Sequence, residues 1–266
     1  MDDLRVALYR NVSDPELLRA HRLFVAEGRL VVQRLIEDGR FRVRSLLLND
    51  ASWRALEPSC RRLASDVDVC LASSRDFEGL TGYNVHRGCL ALVERPQPAS
   101  IDAVLSSARV VVVLEHVTNA DNVGGVFRNA AAFGVDAVLL SPSTCDPLYR
   151  KAIRTSMAAT LRVPFATLDH ESGSWTAALA ALRRRGFSLA AMTPRGPAQA
   201  LEEFVRQRPH ERLAVLFGTE GGGVSGEAES AADHRVRIPI GPNVDSLNLA
   251  VASGIVLYRL LGPPAG

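Results

Sequence analysis

The feature that most constrains how this 266-residue chain can fold is an unbroken aliphatic run, Val110-Val111-Val112-Val113-Leu114, succeeded at once by polar residues. Five branched apolar side chains in succession leave no face for water, so the run predicts a strand covered on both sides, as in a parallel sheet. Beyond it the chain alternates regularly. Asn122–Phe133 has helical spacing, Ala137–Leu140 reads as a strand, Leu148–Met157 as a helix, Val163–Ala166 as strand-like, and Ser174–Arg185 as a helix that stops at Gly186. Ser188–Met192, Leu213–Phe217 and Arg235–Ile238 read as further strands, and Ser246–Leu261 as a closing helix. Strands and helices taking turns predict an α/β fold, a parallel sheet with helices on both faces.

The first 95 residues read as a smaller α/β module. Asp14-Pro15 suits a helix start, and Leu17, Leu18, His21, Phe24 and Val25 continue at helical spacing. Leu30–Ile36 is a second helical stretch ended by Gly39, and Ser45–Leu48, Val67–Leu71 and Cys89–Val93 are short β-type runs. Pro96 and Pro98 then interrupt regular structure. The expected organisation is a first domain over 1–95, a linker over 96–107 and a second domain over 108–266.

Composition removes several function classes. Apolar residues at 47% and charged ones at 23% are those of a globular chain rather than a disordered or fibrous one. No stretch approaches the roughly 18 apolar residues of a membrane span, and the opening Met1-Asp2-Asp3 lacks the pattern of a secretory leader, so a cytoplasmic location is expected. Cys60, Cys70, Cys89 and Cys145 form no C-x-x-C pair, and the six histidines never recur at helical spacing, which predicts no metal site. Lys151 is the only lysine among 31 basic residues. Arginine suits phosphate contact, although a GC-rich genome explains the bias as simply. The one local excess of positive charge comprises Arg128, Arg150, Lys151, Arg154 and Arg162.

In a parallel α/β sheet the ligand lies beyond the carboxyl ends of the strands. Four polar or glycine-rich loops leave there, beginning at Glu115, Thr193, Gly218 and Pro239. Gly221, Gly223 and Gly226 satisfy a dinucleotide fingerprint, but Glu220 and Glu227 flank the place a pyrophosphate would occupy, so that match is set aside. In the first loop Asp121 or Asn122 can cap the helix, while Gly124 and Gly125 cost of order 1 kcal/mol each in its first turn, which suggests that a ligand or second chain packs there. In the last, the helix is expected to be capped near Asp245 or Ser246. An apolar seam of Leu249, Ala252, Ile255, Val256 and Leu260 runs along that helix, and Ala250, Ser253 and Gly254 are small enough to admit another helix.

Three of these segments occur together in order: Asn122 with Arg128, then Phe217-Gly218-Thr219-Glu220-Gly221 through Gly223, then Ile238-Pro239-Ile240-Gly241 with Ser246-Leu247-Asn248. Together they resemble the signature motifs of the SpoU (TrmH-type, SPOUT superfamily) RNA ribose 2′-O-methyltransferases. Asp146–Ser156 and Thr193-Pro194-Arg195-Gly196 are similar to that family too, and the resemblance covers about residues 108–262. Residues 1–95, including Val25-Ala26-Glu27-Gly28, resemble more loosely the ribosomal-protein-like RNA-binding domain often placed in front. One departure is Ala158 after Ser156-Met157, where relatives commonly carry glycine.

The resemblance implies a carboxyl-terminal trefoil knot, S-adenosylmethionine as cofactor, a homodimer packed through the knotted domain, and methyl transfer to a ribose 2′-OH of RNA. Ribosomal RNA is favoured. Transfer RNA, or a catalytically idle RNA-binding protein of this fold, is the alternative. The same resemblance assigns catalysis to Arg128, supported by Asn122, Glu220, Ser246 and Asn248, and cofactor binding to Thr193, Gly218, Ile238 and Leu247. Glu220 read more plainly only caps its loop. Arg150, Lys151 and Arg154 are the candidate RNA phosphate contacts, against the plainer reading of a solvated helix face.

Overall fold

The computed structural model describes residues 4–9, 13–73, 76–77, 88–168, 174–207 and 212–262. The chain divides into two compact units, one of residues 1–97 with 147–161 and one of 98–146 with 162–266. The break at 97/98 falls where Pro96 and Pro98 interrupt the sequence. The excursion of 147–161 into the first unit has no counterpart in the sequence reading, which keeps that stretch in the second domain.

The first unit is built on a four-stranded sheet of β1 (Leu23–Glu27), β2 (Val43–Leu48), β3 (Asp68–Leu71) and β4 (Cys89–Glu94), in the order β1-β4-β2-β3. Only β2 and β3 run parallel; β4 is antiparallel to both its neighbours. Phe24 and Val25, expected to extend a helix, lie in β1. The helical turns before them end at His21, because Arg22 turns the chain through a left-handed conformation at φ 52°. The helix Asp50–Cys60 is absent from the sequence reading. Its Asn49 cap accepts from the Ser52 N–H at 2.9 Å, but Pro58 and its scattered apolar residues mask the helical period. Tyr9, Leu17, Val25, Leu47, Leu90 and Leu92 share the core of this unit.

Within this unit the helix Arg150–Thr155 packs beside β1. The Arg150 N–H donates to Asp14 Oδ2 at 3.0 Å, and Arg34 Nη1 donates to the Met157 carbonyl at 2.7 Å. Met157 and Ala158 then turn the chain at φ 53° and 69°. Both are left-handed conformations in which a Cβ is crowded. The departure from glycine at 158 therefore places a buried alanine in a strained backbone position.

The second unit holds seven parallel strands: β5 (Val110–Leu114), β6 (Ala137–Leu140), β7 (Phe165–Thr167), β8 (Ser188–Met192), β9 (Gln199–Ala200), β10 (Leu213–Phe217) and β11 (His234–Arg237). Their order is β7-β6-β5-β10-β8-β11-β9. β5 is buried at every residue, in register from Val110↔Leu213 to Leu114↔Phe217 with β10. Val111 and Val113 pack with Trp175, Leu179 and Leu182 of the helix Trp175–Arg184. Val112 and Leu114 alternate to the opposite face and are equally buried. Because β5, β10, β8 and β11 are adjacent and parallel, the loops that begin at Glu115, Gly218, Thr193 and Pro239 leave the sheet side by side at one edge. Among the described residues no helix is long and apolar enough to cross a membrane.

Candidate active site

Three of those loops frame a cleft of about 650 Å³, within the range of small-molecule sites. Thr193, Gly218, Ile238 and Leu247 line it, together with Glu220, Ser246 and Asn248. Thr193 and Gly218 are buried, whereas the loop through Ser246 is exposed. Asn122 and Arg128 lie outside the lining.

Asn122 nevertheless reaches the rim through hydrogen bonds. Its helix is Ala120–Phe133, and the cap is Asn119, whose Oδ1 accepts from the Asp121 N–H at 2.9 Å. Capping by Asn119 rather than by Asp121 or Asn122 places Asn122 inside the first turn, buried, with its amide released from capping. Its Nδ2 donates to Glu220 Oε1 at 2.6 Å. The closing helix begins at Leu249 and is capped by Asn248, three residues after the expected Asp245 and two after Ser246. Asn248 Oδ1 accepts from the N–H groups of Ala250 and Val251, at 2.9 and 3.3 Å. That fixes its amide orientation and directs Nδ2 to Asn122 Oδ1 and Glu220 Oε1, each at 3.0 Å. Two amides thus hold one oxygen of Glu220, and no described group donates to the other. Among the described residues no cation pairs with this carboxylate, which lines the cleft.

Close packing of two helices sets this geometry. A Cβ on Gly125 would come 2.5 Å from Ala250 Cβ. Asn129 Nδ2 donates to the Ala250 carbonyl at 2.6 Å and to Ser253 Oγ at 2.9 Å. Gly125 is therefore explained by the chain's own last helix, not by a ligand or a second chain, and the small residues Ala250, Ser253 and Gly254 receive the helix Ala120–Phe133. Arg128, six residues beyond Asn122, projects about 120° around the helix from it at 100° per residue. It is exposed, and its side chain makes no hydrogen bond or ion pair to another described residue. Ser246 likewise makes none.

The glycine-rich loop is closed by two backbone bonds, Thr219 N–H to Gly223 O at 3.1 Å and Gly223 N–H to Thr219 O at 2.9 Å. A Cβ on Gly218 would fall 1.8 Å from the Gly223 oxygen, and Gly221 and Gly223 adopt φ of 83° and 65°. At Gly218 any side chain would collide with backbone, and at Gly221 and Gly223 one would be held in the left-handed region that favours glycine. Beyond the loop, buried Glu115 accepts from the Ser225 N–H at 2.8 Å and from Ser225 Oγ at 2.6 Å. A carboxylate already occupies the helix start that a pyrophosphate would need, a reason against the dinucleotide fingerprint that sequence could not supply.

Arg150 and Arg154 are placed elsewhere, within the first unit. They face Glu27, whose side chain is 2% exposed, with Arg150 Nε 3.5 Å from Oε2 and Arg154 Nη1 3.4 Å from Oε1. A carboxylate so buried needs paired cations, and supplying them is the first task of these two arginines. Lys151 on the same helix is exposed.

Residues 109–258 match the model of the SpoU rRNA methylase family. The chain is 38% identical over 262 residues to an uncharacterized tRNA/rRNA methyltransferase of Mycobacterium tuberculosis, covering 97% of this chain and 88% of that one. Among solved structures it resembles the SpoU methyltransferase AviRb of Streptomyces viridochromogenes, in complex with AdoMet. The TM-score is 0.75 at 20% identity, over 97% of this chain and 96% of that one. An AdoMet-bound rRNA methyltransferase of Sinorhizobium meliloti gives 0.77 at 20% identity, over 96% and 92%.

Proposed function

Because this chain belongs to the SpoU rRNA methylase family, we propose that it transfers a methyl group from S-adenosylmethionine to a ribose 2′-OH of RNA, with ribosomal RNA the favoured substrate. The observation that carries this reading is the network of Glu220, Asn122 and Asn248 at the rim of a cleft lined by Thr193, Gly218, Ile238 and Leu247. The cleft fits the cofactor. Phe217, Ile238 and Leu247 offer apolar surface to a base, the Gly218 backbone forms part of the same wall, and the carboxylate of Glu220, paired with no described cation, suits a cation. When bound, S-adenosylmethionine supplies an activated methyl on a sulfonium.

The chain's own residues hold and polarise the acceptor. Asn122 and Asn248 fix Glu220, and Ser246, exposed in the lining of the same cleft, holds the attacking hydroxyl. Arg128, without another described partner, is available to the target phosphate and to charge developing on the alkoxide. A guanidinium keeps its protons at neutral pH, so this electrostatic role is favoured over that of a base. RNA is required because DNA lacks the 2′-OH. Val251, Ile255 and Tyr258 form an exposed apolar stripe on the closing helix, and a second copy of the chain, packed through a knotted carboxyl-terminal domain, would cover it.

The test is transfer of labelled methyl from S-adenosylmethionine to separate ribosomal and transfer RNA from cells lacking this gene, with Arg128→Ala alongside. Label in ribosomal RNA, resistant to alkaline cleavage at one nucleotide and reduced at least about a hundredfold in the variant, is expected. Label only in transfer RNA would reassign the substrate. No label despite cofactor binding would favour an RNA-binding protein without catalysis.

A further inference from the structure

Arg195 has no part in the chemistry proposed for the site, yet it joins two walls of the cleft. It lies after β8, in the Thr193-Pro194-Arg195-Gly196 loop, and the glycine-rich loop leaves the adjacent strand β10. Its guanidinium crosses between them, Nη2 donating to the Gly222 carbonyl at 2.5 Å and to the Val224 carbonyl at 3.0 Å. Its backbone N–H donates to Thr193 Oγ1 at 3.1 Å, orienting a buried hydroxyl that lines the cleft. Behind it, Glu229 lies 3.9 Å from Nη2 and binds Arg235 at 2.6 Å, and Arg235 in turn donates to the Arg195 carbonyl at 3.4 Å. Gly223 leaves room for this crossing, since a Cβ there would stand 3.3 Å from Nη2.

The placement is poorly suited to stabilising the fold. The Arg195 side chain is 57% exposed, and exposed ionic contacts contribute little. What it restrains is a run of three glycines, Gly221 to Gly223, with the greatest backbone freedom to lose when a ligand orders the loop. Ordering such a loop in advance lowers the cost of binding.

We propose that Arg195 is a positioning residue that pre-sets the cleft for S-adenosylmethionine by tying the glycine-rich loop to the Thr193 loop. This rests on the reading of the cleft as the cofactor site. Calorimetric titration of S-adenosylmethionine into the full-length protein tests it, with Arg195→Ala, Arg195→Lys and unliganded thermal unfolding of each. Loss of charge-assisted bonds to two carbonyls is expected to weaken cofactor binding about tenfold in Arg195→Ala. Arg195→Lys, which keeps one cationic donor, recovers part of the loss, and the melting midpoints stay close to that of wild type. Methyl transfer should fall further at limiting than at saturating cofactor. Equal affinity in Arg195→Ala and wild type would overturn the proposal. So would weakened binding accompanied by a matching fall in melting temperature and no recovery in Arg195→Lys, which would mark the residue as part of the fold. Failure of wild type itself to bind would overturn the reading of the cleft, and the proposal with it.

Discussion

Glu27 in the first unit and Glu220 in the second are both carboxylates gripped by side chains from distant parts of the sequence, but the grips differ in charge. Glu27 is buried and faces two guanidinium groups, Arg150 and Arg154. Glu220 is exposed and is held by two neutral amides, Asn122 and Asn248, on a single oxygen. Cations cancel the first charge and spend it on holding residues 147–161 in place. Amides position the second without cancelling it, which leaves it able to act on a ligand. A network's duty can thus be judged by whether its partners neutralise the charge or only orient it.

The same chemical change at both positions tests this contrast. Glu27→Gln removes the charge that two arginines face, and breaking a buried ion pair costs about 3–5 kcal/mol. Because Arg150 and Arg154 are 30% and 47% exposed and can turn to water, a loss of about 2 kcal/mol is expected in denaturant titration. A loss below that of an ordinary surface substitution would erase the distinction. Glu220→Gln should cost less than about 1 kcal/mol, since an amide oxygen can still accept from both asparagines. It should slow methyl transfer about tenfold, measured in the RNA assay. Equal stability losses at both sites would show that Glu220, too, is there for the fold. The smallest effect is expected at Ala158→Gly. Relief of the left-handed strain, offset by glycine's greater chain entropy, leaves a gain of about 0.5 kcal/mol. Read by thermal unfolding, this separates backbone strain in the 147–161 segment from the ion pairs that anchor it.

How much of the molecule is legible from sequence depends on how local the physics is. Val110–Leu114, Leu213–Phe217 and Ser188–Met192 occur as strands with the expected bounds, since burial on both faces is written directly in the residues. Phe24 and Val25 mislead because one left-handed residue, Arg22, ends the helix and starts a strand, and nothing at that position signals it. Gly125 looks costly until its neighbour Ala250 is known, a contact between residues far apart in the chain. In the site, the motifs bring Asn122, Glu220 and Asn248 into one group, but only the caps at Asn119 and Asn248 show why their amides meet one oxygen. Arg195 stands out in the sequence only as part of a motif, because its role consists of bonds to backbone carbonyls, which leave no mark in residue type.

The excursion of residues 147–161 bears on modularity. An amino-terminal unit that ended at the proline linker could be exchanged between enzymes by a single cut. Here the polypeptide passes between the units three times, near 97, 146 and 161. The first unit takes the two cations for its buried Glu27 from sequence that lies past the start of its neighbour. A graft of residues 1–97 onto another enzyme would leave behind both arginines that face this carboxylate. The unit can therefore diversify only together with the segment that completes it, which ties the evolution of its surface to that of the chain around residue 150.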